Sequence, residues 1–218
     1  MQSYIRCTAE HVPFYQNLRN WWRGHTQAQL ERQWVAQGYP VPPPHIVKQK
    51  TLRAYAQRFK LRVLVETGTF LGDMVEALRR DFAKIYSIEL DPRLCTRAKK
   101  RFAAYRHITI IEGDSGVELA HIIDALSEPA LFWLDGHYSA GNTARGSSES
   151  PIWNELQQIL TSQVRGHVIL IDDARCFGRD PGYPMLDEIR HYVASIWPAA
   201  QWIVTDDIIR IEPEVELG

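Results

Sequence analysis

From residue 61 onward, short apolar runs rich in Val, Ile and Leu alternate with segments of helical period, and few folds satisfy that alternation. The runs are Val63-Leu64-Val65, Ile85-Tyr86-Ser87-Ile88, Ile108-Thr109-Ile110-Ile111, Leu131-Phe132-Trp133-Leu134 and Val168-Ile169-Leu170-Ile171. Most are apolar at consecutive positions rather than at every second one, the mark of strands buried on both faces. They predict an α/β fold with a mostly parallel sheet and helices on both sides.

Between the runs, Leu71, Val75, Leu78 and Phe82 fall at steps of four, three and four, one stripe of a helix. Leu186, Ile189, Val193 and Ile196 repeat that kind of spacing. Asp91 followed by Pro92 predicts an N-cap with proline at the first helical position, and Ser115 with Glu118 predicts a capping box. Trp202-Ile203-Val204 and Ile208-Ile209-Arg210-Ile211 flank Thr205-Asp206-Asp207, a spacing too short for a crossover helix, so the chain is expected to end in an antiparallel hairpin.

Residues 1–60 read as a helical N-terminal extension and residues 61–218 as the sheet domain. The extension carries Trp21, Trp22 and Trp34, the stiff stretch Tyr39-Pro40-Val41-Pro42-Pro43-Pro44 and a helix over about 45–59. The tryptophans are expected to pack as core, with a lid or a dimer contact as the alternative. Hydrophobic residues make up 45% and charged residues 23%, enough to bury a core. A net charge of -1, with both signs interspersed, offers no field that would gather a nucleic acid or an anionic membrane, which leaves a small molecule as the expected partner. Cys7, Cys95 and Cys176 are odd in number, far apart and without a CxxC, so neither a disulfide framework nor a zinc knuckle is indicated. With no signal-peptide pattern and no apolar run near the ~20 residues that cross a bilayer, the expectation is a cytoplasmic protein.

The first run ends in Glu66-Thr67-Gly68-Thr69-Phe70-Leu71-Gly72, a glycine turn where backbone can approach a ligand closely. No register of it supplies the GxGxxG of a dinucleotide site. A carboxylate at the strand's end would repel a diphosphate, and favours a ligand with positive charge and hydroxyls. Glu89 follows Glu66 by 23 residues, about where a ribose-binding acid sits in this topology. Glu112-Gly113-Asp114-Ser115 then places an acceptor at a strand end beside a helix start, suited to an exocyclic amine such as that of adenine.

These features resemble the class I S-adenosylmethionine-dependent methyltransferases. Glu66-Thr67-Gly68-Thr69-Phe70-Leu71-Gly72 matches that family's ExGxxxG loop, Glu89 its ribose acid and Gly113-Asp114-Ser115 its adenine-side segment, over about residues 61–212. The resemblance implies a Rossmann-like seven-stranded sheet with an antiparallel last strand and S-adenosylmethionine as cofactor. It also implies a cofactor pocket built from Glu66, Thr67, Gly68, Gly72, Glu89, Asp114, Ser115 and Asp135.

A second constellation comprises Leu134-Asp135-Gly136-His137-Tyr138 and Ile171-Asp172-Asp173-Ala174-Arg175, both at carboxyl ends of parallel strands. If those strands are neighbours, three carboxylates converge, which favours a neutralising cation such as Mg²⁺, Mn²⁺ or Ca²⁺. This half resembles the metal-dependent, macrocin-type O-methyltransferases that act on sugars of natural products, and on that likeness Asp135, Asp172 and Asp173 would hold a divalent ion. The position of that family's acidic base carries His137, whose neutral imidazole can take a hydroxyl proton. The plainer readings stay open: Asp172 or Asp173 caps a helix or pairs with Arg175, Asp135 is structural, and His137 is a loop histidine or itself a ligand. His11, His25, His45, His107, His121, His167 and His191 show no ligand spacing and are expected to be structural or superficial.

The polar stretch 139–149 and Cys176-Phe177-Gly178-Arg179-Asp180-Pro181-Gly182-Tyr183-Pro184 are long enough to be functional lids. Arg145, Arg175 and Arg179 carry no assigned role. The expectation is O-methylation of a small-molecule hydroxyl, a sugar first, with Asp135 and His137 at the chemistry. Competing with it are a non-catalytic Rossmann-like nucleotide- or sugar-binding module and a metal-dependent hydrolase. A homodimer is open.

Overall fold

The computed structural model describes residues 27–136, 151–180 and 182–214. The chain divides into two compact units, Met1–Lys48 and Gln49–Gly218. In the first, helix α1 occupies 27–36. It is closed by Gly38 and Tyr39, both with left-handed φ. Trp34 is buried there, its indole N–H donating to the Pro40 carbonyl at 2.7 Å and its ring edge-on to Tyr39 at 4.9 Å. Trp21 and Trp22 lie outside the described residues.

In the second unit, seven strands form one sheet in the order β3-β2-β1-β4-β5-β7-β6. They are β1 Val63–Thr67, β2 Lys84–Glu89, β3 Ile108–Glu112, β4 Ala130–Leu134, β5 Val168–Ile171, β6 Gln201–Thr205 and β7 Ile208–Glu212. β1 to β5 pair in parallel, and β7 runs antiparallel to both β5 and β6. Every residue of β1, β4 and β5 is buried, which is why their sequences are apolar without alternation.

Side chains still alternate between faces, and two cores result. On one face Val65, Phe132, Leu134 and Ile169 pack with residues of α5 (Ser115–Asp124), α6 (Ile152–Leu160) and α7 (Leu186–Ile196). On the other, Leu64, Leu131, Trp133 and Leu170 pack with residues of α2 (His45–Arg58), α3 (Asp73–Leu78) and α4 (Pro92–Phe102). The expected sheet, helices on both faces and closing hairpin are all present. The hairpin turns on Asp206 and Asp207, both left-handed, the backbone a two-residue turn between right-twisted strands requires.

Two local expectations need correction. α3 spans only Asp73–Leu78, because Gly72, at φ 75, sets its start and the chain turns at Arg79. Leu71 and Phe82 therefore flank the helix, although Phe82 is still buried in the same core. The cap of α5 is Asp114, whose side chain accepts from the Gly116 N–H at 2.9 Å, so Ser115 is already inside the helix and no Ser115/Glu118 box forms. Asp91 does cap α4, accepting from the Arg93 and Leu94 N–H groups, with Pro92 at the first position.

Candidate functional site

Parallel strands stop along one rim, and the acids and glycines picked out above gather there. The turn after β1 is lashed to β2 by two hydrogen bonds, the Gly68 and Thr69 N–H groups both donating to the Ile88 carbonyl at 2.9 and 3.1 Å. Gly68 has φ 86, and a Cβ placed on it would stand 2.5 Å from the Asp135 carbonyl oxygen and 2.9 Å from its carbon. Only glycine lets these two strand ends meet. Gly72 is likewise hemmed in, its Cβ position 2.8 Å from the Phe102 ring.

Glu89, at the end of β2, is buried and held by backbone: its two carboxylate oxygens accept from the Phe70 N–H at 2.6 Å and the Asp91 N–H at 2.9 Å. Each oxygen keeps a second lone pair, so the group is aimed and can still receive two hydroxyls. Glu66 is on the neighbouring strand and the opposite side of β1 from Thr67. It is buried beside Ser87, whose hydroxyl donates to it and is itself 2.6 Å from the Thr69 hydroxyl. Burial drives its pKa up to about 8, the Glu89 charge adds to this, and the Ser87 hydrogen bond opposes it. Asp114 and Ser115 open α5, with Asp114 serving as its cap.

At the far side of the rim the Asp135 N–H continues the ladder to the Thr67 carbonyl at 3.1 Å, and the Asp172 N–H reaches the Leu134 carbonyl at 3.0 Å. Asp172 is buried, one of its oxygens accepting from the next residue's N–H at 2.9 Å. Asp173 adopts a left-handed backbone, and its carboxylate pairs with the Arg175 guanidinium at 2.9 Å. The same guanidinium contacts the buried Asp207, which also accepts from the Arg175 N–H at 2.8 Å. Arg175 thus spans Asp173 and Asp207 and ties the exit of β5 to the hairpin. Tyr183 comes from the same loop; burial first, then the charges of Asp173, Asp180 and Asp135, hold its phenol neutral.

Of the expected ion-binding set Asp135, Asp172 and Asp173, the last is engaged in an ion pair. Asp173 is neutralised by Arg175, and among the described residues no group of three or more His, Cys, Asp and Glu is arranged to hold one. His137 and Arg145 lie outside the described residues.

The sequence reading passed over Glu155 on α6. It is fully buried, with Oε1 close to Gly136: a Cβ placed on that glycine would stand 3.5 Å from Oε1 and 3.1 Å from Thr67 Oγ1. Burial pushes the Glu155 pKa up to about 7 and the Asp114 charge adds to this, while the nearby Ser115 and Thr67 hydroxyls pull the other way. Those hydroxyls stop short of bonding geometry: among the described residues neither Glu155 oxygen nor Thr67 Oγ1 has a hydrogen-bond partner. One signal was legible, because Ile152, Glu155, Leu156 and Ile159 share a helical stripe and a carboxylate there interrupts an apolar face.

No helix among the described residues is long and apolar enough to cross a membrane. No family model and no curated protein matches this sequence. Solved structures do. A methyltransferase of Podospora anserina bound to S-adenosylhomocysteine (SAH) is 17% identical, covers 84% of this chain and 86% of its own, and superposes with a TM-score of 0.55. An O-methyltransferase of Bacillus cereus in complex with SAH is 16% identical over 86% and 90%, TM-score 0.55. The O-methyltransferase TomG of Streptomyces achromogenes, in complex with S-adenosylmethionine, is 15% identical over 86% and 89%, TM-score 0.54. At such identities the likeness is one of fold: the sheet and the helices on its two faces are arranged as in these three methyltransferases.

Proposed function

We propose that the protein is an S-adenosylmethionine-dependent methyltransferase that methylates a hydroxyl of a small molecule, a sugar or related metabolite being the leading acceptor class. The observation that carries the reading is Glu89, whose two oxygens are fixed by the Phe70 and Asp91 N–H groups at the lip of a glycine turn. The rim is acidic throughout, with Glu66, Glu89, Asp114 and Glu155 at or behind it and Gly68 allowing close backbone approach. Such a lining repels phosphate and favours a ligand made of hydroxyls, an amine and positive charge.

When bound, S-adenosylmethionine supplies an electrophilic methyl group on a sulfonium. Glu89 receives the ribose hydroxyls, Asp114 and Ser115 flank the base, and Thr67, Gly68 and Gly72 shape the turn beneath the ligand. Glu66 is the buried acid on which a positive charge stabilises the ionised form, so its proton is lost as a cationic ligand docks. Asp135, at the exit of β4, stands on the acceptor side. The proton acceptor assigned from the sequence is His137, directly after Gly136. Positioning carries much of such a transfer. A cytoplasmic location and self-association belong to the same proposal.

Incubating the protein with methyl-labelled S-adenosylmethionine and a panel of hydroxylated small molecules tests it. The expected result is an O-methyl ether formed together with an equal amount of SAH. Binding of SAH without transfer to any member would favour a non-catalytic module, and no binding would sink both.

A further inference from the structure

Glu155 is the one fully buried carboxyl of the rim with neither oxygen hydrogen-bonded among the described residues. A buried acceptor left without a donor is costly, on the scale of a lost hydrogen bond or more. Its surroundings locate the donor it lacks. Thr67, whose hydroxyl is also without a partner, points to the α5/α6 face of β1, opposite Glu66. Gly136 passes directly above, and Asp114 and Ser115, at the start of α5, are near enough to shift its charge state. Two neighbouring contacts pin α6 there: Gln158 Nε2 donates to the Gly116 carbonyl at 2.6 Å, and Asn154 lies against Gly116.

We propose that Glu155 is a further cofactor-recognition residue, whose carboxyl takes the N–H groups of the exocyclic amine of an adenine ring from behind Gly136 and beside Asp114. This rests on the reading of the site given above. A carboxyl fits the task because it offers two acceptor oxygens, and the amine offers two donors on one nitrogen. A positive group is a poorer match at this end of the rim: the buried acid suited to it, Glu66, lies on the other side of β1 among hydroxyls. The consequence is base selectivity. A purine with a carbonyl oxygen in place of the amine would set that oxygen against the ionised carboxylate, and would be disfavoured.

The test is a calorimetric titration of the full chain with two ligands, SAH and S-inosylhomocysteine, its 6-oxo counterpart. Wild-type protein should bind the first and strongly disfavour the second. Glu155→Gln replaces one acceptor oxygen by an N–H₂ donor at constant shape. It should weaken SAH by about ten- to a hundred-fold and strengthen the 6-oxo ligand, collapsing the preference. Glu155→Asp, which withdraws the acid by one methylene, should weaken SAH without gaining the 6-oxo ligand. Unliganded melting temperatures are recorded beside the titrations; if the Gln variant does not fold, the Asp variant carries the test alone. An unchanged preference in Glu155→Gln, or wild-type SAH affinity in Glu155→Asp, overturns the inference while leaving the methyltransferase reading intact. Failure of the wild type to bind SAH defeats that reading itself, and is visible before any variant is made.

Discussion

Gly68→Ala should damage both the fold and the site, and a second glycine isolates the reason. Gly68 and Gly166 share φ +86, so alanine at either position incurs the same left-handed strain, about 1–2 kcal/mol. At Gly166 the new Cβ meets Pro129 Cγ at 3.4 Å, an ordinary contact. At Gly68 it meets the Asp135 carbonyl oxygen at 2.5 Å, and backbone cannot swing aside as a side chain would. Restoring 3.4 Å requires the ends of β1 and β4 to part by about 0.9 Å (3.4 − 2.5), which adds about 1–3 kcal/mol of overpacking. At about 2–4 °C per kcal/mol for a chain of this size, Gly166→Ala should melt about 4 °C below wild type and Gly68→Ala about 10 °C below. A displacement near 1 Å at the reacting end of the rim should also cut the methyl-transfer rate by about a hundred-fold in Gly68→Ala alone. Thermal melts of both variants and their single-turnover rates provide the comparison. Equal melting temperatures with equal rates would refute the claim that β1 and β4 meet at Gly68.

Three further outcomes follow from buried charges. His167 accepts the Ala130 N–H on Nδ1 at 3.0 Å, so Nε2 donates to Ser162 at 3.1 Å; burial, partly offset by the Ala130 contact, lowers its pKa to about 4. The neutral ring is the native form, so stability should be full above about pH 6.5 and fall by about 3 kcal/mol as pH drops to about 4. Urea midpoints across that range should show the slope in wild type and lose it in His167→Gln; an identical slope in the variant would count against it. Glu66 has the opposite sign, since its raised pKa makes the protonated form native. Its contribution is whole below about pH 4.5 and lost by up to about 5 kcal/mol as pH rises through about 8, and Glu66→Gln should flatten that loss in the same assay. Arg175→Ala leaves the buried Asp207 without its guanidinium partner and should cost about 3 kcal/mol in chemical denaturation; a change within about 0.5 kcal/mol would show that the Asp173–Arg175–Asp207 bridge is incidental.

What the sequence revealed and what it concealed have physical causes. Strands such as Leu131-Phe132-Trp133-Leu134 were legible because burial on both faces leaves no polar position, and Asp91-Pro92 because proline is welcome only where a helix begins. Asp114 and Ser115 are both competent caps, and nothing local chooses between them; the backbone did. Leu71 and Phe82 fit a helical stripe by period alone, while left-handed Gly72 cut the helix short. Adjacency of β4 and β5, conditional in the sequence, is met in the sheet, but the partner of Asp173 depended on a left-handed backbone at that residue and on where the hairpin places Asp207. Glu155 escaped notice because its meaning is tertiary: only the packing of α6 under Gly136 turns one acid in an apolar stripe into an unpartnered group at the rim.

The central claim is that Glu89 is a ribose acid at an S-adenosylmethionine site. Calorimetric titration of SAH into wild-type protein and Glu89→Ala tests it most directly, with the unliganded variant first shown to be folded. The account predicts one site per chain in wild type and an affinity lower by at least about a hundred-fold in the variant, the loss of two buried charge-assisted contacts. Equal affinity in the two proteins, or no binding by the wild type, would contradict it.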